Sequence, residues 1–155
     1  MAYALGRAGE AEAWLQKGLA RSPYDAPAYY TLSRCLRERG DLAGASRAQA
    51  RADELTADWK RAHELTARIA RQPNDAGLRC QAGELLLRLG QESLGLNWLH
   101  SALQIEPGQR AAHQALATYY EQKGDHVRAT EHRRLAGIAG PGADASVVRS
   151  AAAGK

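Results

Sequence analysis

The chain has 155 residues, 45% hydrophobic and 25% charged, with a formal net charge of +4. That length holds one ordinary domain or four to five short structural repeats, and an apolar content at the globular average excludes wholesale disorder. Ala, Leu and Arg abound, Phe is absent and the β-branched residues that favour strands are scarce, which excludes an all-β or doubly wound α/β fold.

In chain order, residues 1–25 hold the back half of a helical unit: Gly6 stands as a helix stop, and Ala11, Leu15 and Leu19 lead to Pro23. A first helix is predicted from Ala26, with Tyr29, Leu32 and Leu36 on one stripe, ending at Gly40. Glycine there stops a helix in the left-handed conformation at no steric cost. After Gly40 a second helix carries Leu42, Ala45, Ala48, Ala52 and Leu55. No proline follows until Pro73, and apolar residues continue through Trp59, Ala62, Leu65 and Ile69. One long helix of about 31 residues, on the order of 47 Å, is therefore expected, rather than a break near Thr56–Asp58.

The next unit starts at Ala76 with Ala82, Gly83, Leu86 and Leu89, then Leu94, Trp98, Leu99, Ala102 and Leu103 up to Pro107. The last starts at Arg110 with Leu116, Ala117 and Tyr120, then Val127, Ala129 and Leu135. From Gly137 onward Gly, Pro, Ser and Ala read as a flexible tail.

Two sets of markers keep one register. Gly6, Gly40, Gly90 and Gly124 are separated by 34, 50 and 34 positions, and Pro23, Pro73 and Pro107 by 50 and 34. The unit is thus 34 residues, with 16 inserted between the second and third copies. Small residues recur in register at Ser33, Gly83 and Ala117, and again at Ala45, Gly95 and Ala129, where they let two helix backbones approach closely. The chain divides on this reading into a partial unit 1–25, a unit 26–59, a helical insertion 60–75, units 76–109 and 110–139, and a tail 140–155.

On Tyr29, Leu32, Ser33, Leu36, Gly40, Ala45 and Ala52, repeated at Ala82, Gly83, Leu86, Gly90, Leu99, Ala102 and Pro107, and at Leu116, Ala117, Tyr120, Gly124, Ala129 and Ala136, the chain resembles the tetratricopeptide repeat. The resemblance spans residues 1 to 139. Arg79 and His113 depart from it by replacing a bulky opener, as does Gly95 by replacing an alanine, and looser packing is expected in those copies. The resemblance implies an all-α, right-handed solenoid of antiparallel helix pairs, with one extended helix between the second and third units. It also implies a concave groove lined by first helices that holds a partner's peptide or helix.

Candidate groove residues, from the polar face of each first helix, are Tyr30, Arg34, Arg37 and Glu38; Cys80, Glu84, Leu87 and Arg88; and Gln114, Thr118, Glu121 and Gln122. Arg34, Arg37 and Arg88 suit carboxylates of an acidic partner, and Tyr30 and Leu87 suit apolar anchors. The Lys/Asn/Arg clamp by which some members of the family hold chaperone C-termini has no match here, since Arg34 stands at the Asn position.

No catalytic, cofactor or metal motif is present. The five histidines form no i, i+4 pair, no HExxH occurs, Cys35 and Cys80 lie 45 positions apart, and no glycine run makes a phosphate loop. The two cysteines read as small buried hydrophobes in a reducing compartment. A non-enzyme without cofactor is expected. Nucleic acid is disfavoured as a partner, because Asp53, Glu54, Asp58 and Glu64 interleave the basic residues of the long helix. No run of 18 apolar residues and no signal peptide occurs, so no membrane segment is expected and the cytoplasm is the default compartment. Because no capping helix closes the last unit, self-assembly through uncapped end repeats, or membership of a longer array, is the alternative function.

Overall fold

The computed structural model of the protein describes residues 2–138, which form seven α-helices. These are α1 (Ala2–Arg21), α2 (Ala26–Glu38), α3 (Leu42–Arg71), α4 (Ala76–Arg88), α5 (Glu92–Ile105), α6 (Arg110–Gln122) and α7 (His126–Leu135). The fold is an all-α helical repeat. α3 runs unbroken for 30 residues, so the extended helix forms without a break at Thr56–Asp58. Two compact units part within α3, between His63 and Glu64.

In the first unit, Leu19 of α1, Leu32 and Leu36 of α2, and Ala45 and Ala48 of α3 form the core, with Leu15, Ala28 and Tyr29 packed against them. Asp25 starts α2 by accepting the Ala28 amide at 2.9 Å, and Asp41 does the same for Gly44 at 2.8 Å. Each satisfies one of the orphan donors of a helix's first turn. Ser33, fully buried, donates to Gln49 Oε1 at 3.3 Å, so its hydroxyl enters the core with a partner.

In the second unit α4 packs on both α5 and α6, and α6 also packs on α5 and α7. Leu99, Ala102, Ala112, Leu116 and Ala129 are wholly shielded there, together with Ala76, Cys80 and Tyr120. Asp75 caps α4 through the Leu78 amide at 2.8 Å and Asp125 caps α7 through Arg128 at 3.0 Å. Gln91 and Gln109, at the corresponding places of α5 and α6, make no side-chain cap.

The α2, α4, α6 and α7 ends are built alike. Gly40, Gly90, Gly124 and Gly137 take φ between 66° and 87°. Each donates to a carbonyl three residues back, and the following residue donates five back, as in Asp41 N to Leu36 O at 2.9 Å. Those two bonds satisfy the last carbonyls of the helix.

Gly83 of α4 and Gly95 of α5 bring two backbones together. A Cβ on Gly83 would lie 2.9 Å from the Gly95 carbonyl oxygen, and one on Gly95 would lie 2.9 Å from that of Gly83. The space beside Gly95 is filled by Leu87, so glycine in place of alanine does not loosen this pair. All six small positions in register, Ser33, Gly83, Ala117, Ala45, Gly95 and Ala129, are buried.

Other expectations are corrected. Gly6 stops nothing, since α1 passes straight through it and only the later glycines adopt positive φ. Leu42, Leu94, Val127 and Leu135 belong to the predicted apolar stripes but are exposed. All four stand in the first or last turn of their helices, where no neighbouring turn covers them. The predicted tail 140–155 lies outside the described residues.

Candidate partner-binding faces

In the first unit Tyr30, Arg34 and Arg37 follow one another at four and three positions on α2, which puts them on one stripe. Tyr30 is half-buried and its hydroxyl donates to Asp53 Oδ1 of α3 at 2.6 Å, while Gln49 Nε2 reaches the same carboxylate at 3.2 Å. The hydrogen bond to Asp53 raises the Tyr30 hydroxyl above its ordinary pKa and fixes the ring. Arg34, Arg37 and Glu38 are exposed. Neither Arg34 nor Arg37 has an ion-pair partner among the described residues, whereas Arg39 pairs with Glu12 of α1.

In the second unit Glu84 and Arg88 of α4 and Gln114 and Thr118 of α6 are exposed, and Thr118 Oγ1 donates back to the Gln114 carbonyl at 3.0 Å. Three other predicted groove residues are already engaged. Cys80 is 3% exposed and sits in the core beside Leu99 and Leu116, not on a free surface. The sequence mapping allowed α4 one apolar face, but α5 and α6 cover two. Leu87 is half-buried against Gly95, so it contributes to helix packing. Glu121 accepts from Arg133 Nη2 of α7 at 2.5 Å and lies 3.4 Å from His126 Nδ1.

Burial, with the nearby Glu84 carboxylate, pushes the Cys80 thiol up to about 12. Almost no thiolate exists near neutral pH, and the thiolate is the nucleophile. The native protein is expected to leave this thiol unmodified by Ellman's reagent at pH 7.5, and to release both thiols, Cys35 and Cys80, once denatured. Absorbance of the released thionitrobenzoate checks this.

The two departures at the opener position turn out to be built-in contacts that sequence reasoning missed. Arg79 donates to the Pro73 carbonyl from Nε at 2.9 Å and Nη2 at 2.6 Å, bonds Ser101, and lies 5.5 Å from the Trp98 ring. One repeat later, His113 Nε2 is 3.0 Å from the Pro107 carbonyl, and its ring meets His132 at 5.2 Å. Both openers thus bond the carbonyl of the preceding loop's proline and touch a ring 19 positions ahead. The signal was available in the register, since Arg79 to Trp98 and His113 to His132 are the same interval. On the same unit Glu92 holds Lys123 Nζ at 2.5 Å and accepts from the Tyr119 hydroxyl at 3.2 Å.

Among the described residues no three His, Cys, Asp or Glu side chains gather as a metal site, and no helix is long and apolar enough to cross a membrane.

Residues 2–69 match the family model of the tetratricopeptide repeat. No curated protein matches the chain. Among solved structures, that of MamA is 17% identical with a TM-score of 0.48, the match covering 84% of this chain and 87% of that one. YrrB, a TPR protein with an unusual peptide-binding site, is 18% identical with a TM-score of 0.44, covering 84% of this chain and 77% of its own.

Proposed function

We propose that this chain, which carries tetratricopeptide repeats, is a non-catalytic protein-interaction scaffold whose first helices receive a short segment of an acidic partner. The observation that carries the reading is the α2 stripe. Two exposed guanidiniums, Arg34 and Arg37, have no acidic partner among the described residues and stand beside a phenol, Tyr30, held in place by Asp53. A guanidinium offers a planar fork that matches a carboxylate with two parallel hydrogen bonds. A pre-fixed aromatic ring adds contact area at little entropic cost. In the second unit the exposed Glu84, Arg88, Gln114 and Thr118 supply polar groups suited to a partner's backbone.

Selection of a random displayed peptide library on the full chain tests this. Enrichment of Asp- and Glu-containing peptides is expected, with affinity falling ~100-fold or more in the Arg34→Glu, Arg37→Glu double variant, since two charge-assisted bonds of about 1.5–3 kcal/mol each are lost. The variant's melting temperature should stay unchanged, because both side chains are exposed. Equal affinity in the variant, or enrichment without acidic bias, contradicts the proposal.

A second reading, self-association through the last helix, is supported by Val127 at 82% exposure and Leu135 at 44% on α7. It predicts a scattering mass that rises with concentration and that Val127→Glu abolishes while the Arg34 and Arg37 changes do not.

A further inference from the structure

α7 is the least apolar attachment in the second unit. Of its residues and cap, only Ala129 and Ala136 are buried, and its remaining hold on α6 is polar: Arg133 and His126 on Glu121, Arg128 over the Tyr120 ring, and His132 on His113 and Tyr120. His113 Nδ1 and His132 Nδ1 face each other at 2.9 Å. Their protons can be assigned from chemistry. The Pro107 carbonyl only accepts, so His113 Nε2, 3.0 Å away, bears hydrogen. A neutral His113 then has a lone pair on Nδ1, and His132 must donate from its own Nδ1.

One added proton is tolerated. A cationic His113 donates from Nδ1 to a His132 whose hydrogen has moved to Nε2, and the bond survives. A second proton places two N–H donors and two positive charges head to head, and the bond is lost.

The surroundings oppose that second proton. His113 is buried and His132 half-buried. The His132 ring stacks on Tyr120, 5.6 Å between centroids and 6° apart, and Arg128 lies 4.5 Å from the Tyr120 ring. His100 on α5 and Arg128 on α7 repel a charge on His132, and Glu131 on α7 alone favours it.

We infer that the His113–His132 pair is a proton-operated latch: it keeps the last helix docked while at most one imidazole is charged, and releases α7 from α6 when both are. Release uncovers the Leu116–Tyr120 side of α6, an apolar surface that α7 covers at neutral pH. Burial above all, then His113 and His100, holds His132 below its ordinary value of 6.5. The folded state therefore takes up this proton less readily than the unfolded chain. The docked helix is at full stability above pH 6.5 and loses it progressively as pH falls from there through the depressed folded value.

Nitrogen-15 histidine NMR on the full chain, with amide exchange followed from pH 8 to pH 5, tests the latch. At pH 7.5 His113 should be the Nε2–H tautomer and His132 the Nδ1–H tautomer. At pH 5, protection of Ala129 and Leu135 should have fallen ~10-fold or more relative to Leu85 of α4, once intrinsic exchange is allowed for. His132→Phe, which keeps a ring on Tyr120 without a titrating nitrogen, should hold α7 protected down to pH 5. If His132→Phe does not fold, His132→Asn, which keeps a donor near the Nδ1 place, serves the same end. Reversed tautomers, unchanged α7 protection at pH 5, or equal acid release in the folded variant would each overturn the latch.

Discussion

Gly83→Ala is expected to destabilise the protein by ~1–3 kcal/mol, although alanine is the better helix former by about 1 kcal/mol. The added Cβ would stand 2.7 Å from Leu99 Cγ and 2.9 Å from the Gly95 carbonyl oxygen. A leucine tip can rotate away, but a backbone oxygen moves only if α4 and α5 part. Parting them strips contacts from Leu87 and Leu99, the latter wholly buried. Gly18→Ala is the control of opposite sign. It lies in α1, where an added Cβ would meet nothing within 4 Å, and the change should stabilise by ~0.5–1 kcal/mol. Combining Gly83→Ala with Gly95→Ala should cost less than the two separately, because the same separation of helices relieves both clashes. Urea unfolding of the four variants measures all of this, and a stabilised Gly83→Ala would refute the close approach.

Leu116→Ala should cost ~2–5 kcal/mol. Leu116 has no solvent exposure and is shared by the core made from α4, α5, α6 and α7, among Ala76, Cys80, Leu99, Ala112 and Ala129. Those neighbours are mostly small, so little side-chain volume is at hand to refill the space. Val127→Ala, on a side chain 82% exposed, should change stability by no more than about 0.5 kcal/mol. Thermal melts followed by circular dichroism compare the pair, and equal losses would mean that Leu116 is not part of a packed interior.

Much of the fold was legible because it is written in residues with hard backbone constraints. Pro23, Pro73 and Pro107 each stand two residues beyond a helix end, and Gly40, Gly90 and Gly124 each occupy a left-handed turn. The absence of proline from Asp41 to Gln72 foretold the 30-residue α3. Gly6 misled because glycine permits a stop without requiring one, and the surrounding alanines and leucines carry the helix through. The candidate site was less legible, since amphipathic mapping assigns each helix one buried side. That holds for Arg34 and Arg37 but not for Cys80, which a second neighbouring helix covers. The His113–His132 contact escaped a search limited to pairs within one helix. It joins two helices, and only the repeat interval of 19 positions, shared with Arg79 and Trp98, pointed to it.

Amide chemical-shift mapping of the full chain with the tightest acidic peptide from the selection addresses the proposed partner-binding face most directly. The scaffold reading predicts the largest perturbations along α2 at Tyr30, Arg34 and Arg37, with none at the exposed Arg47 of α3. Perturbations centred on α3, or none at all at a peptide concentration that saturates binding, would contradict it.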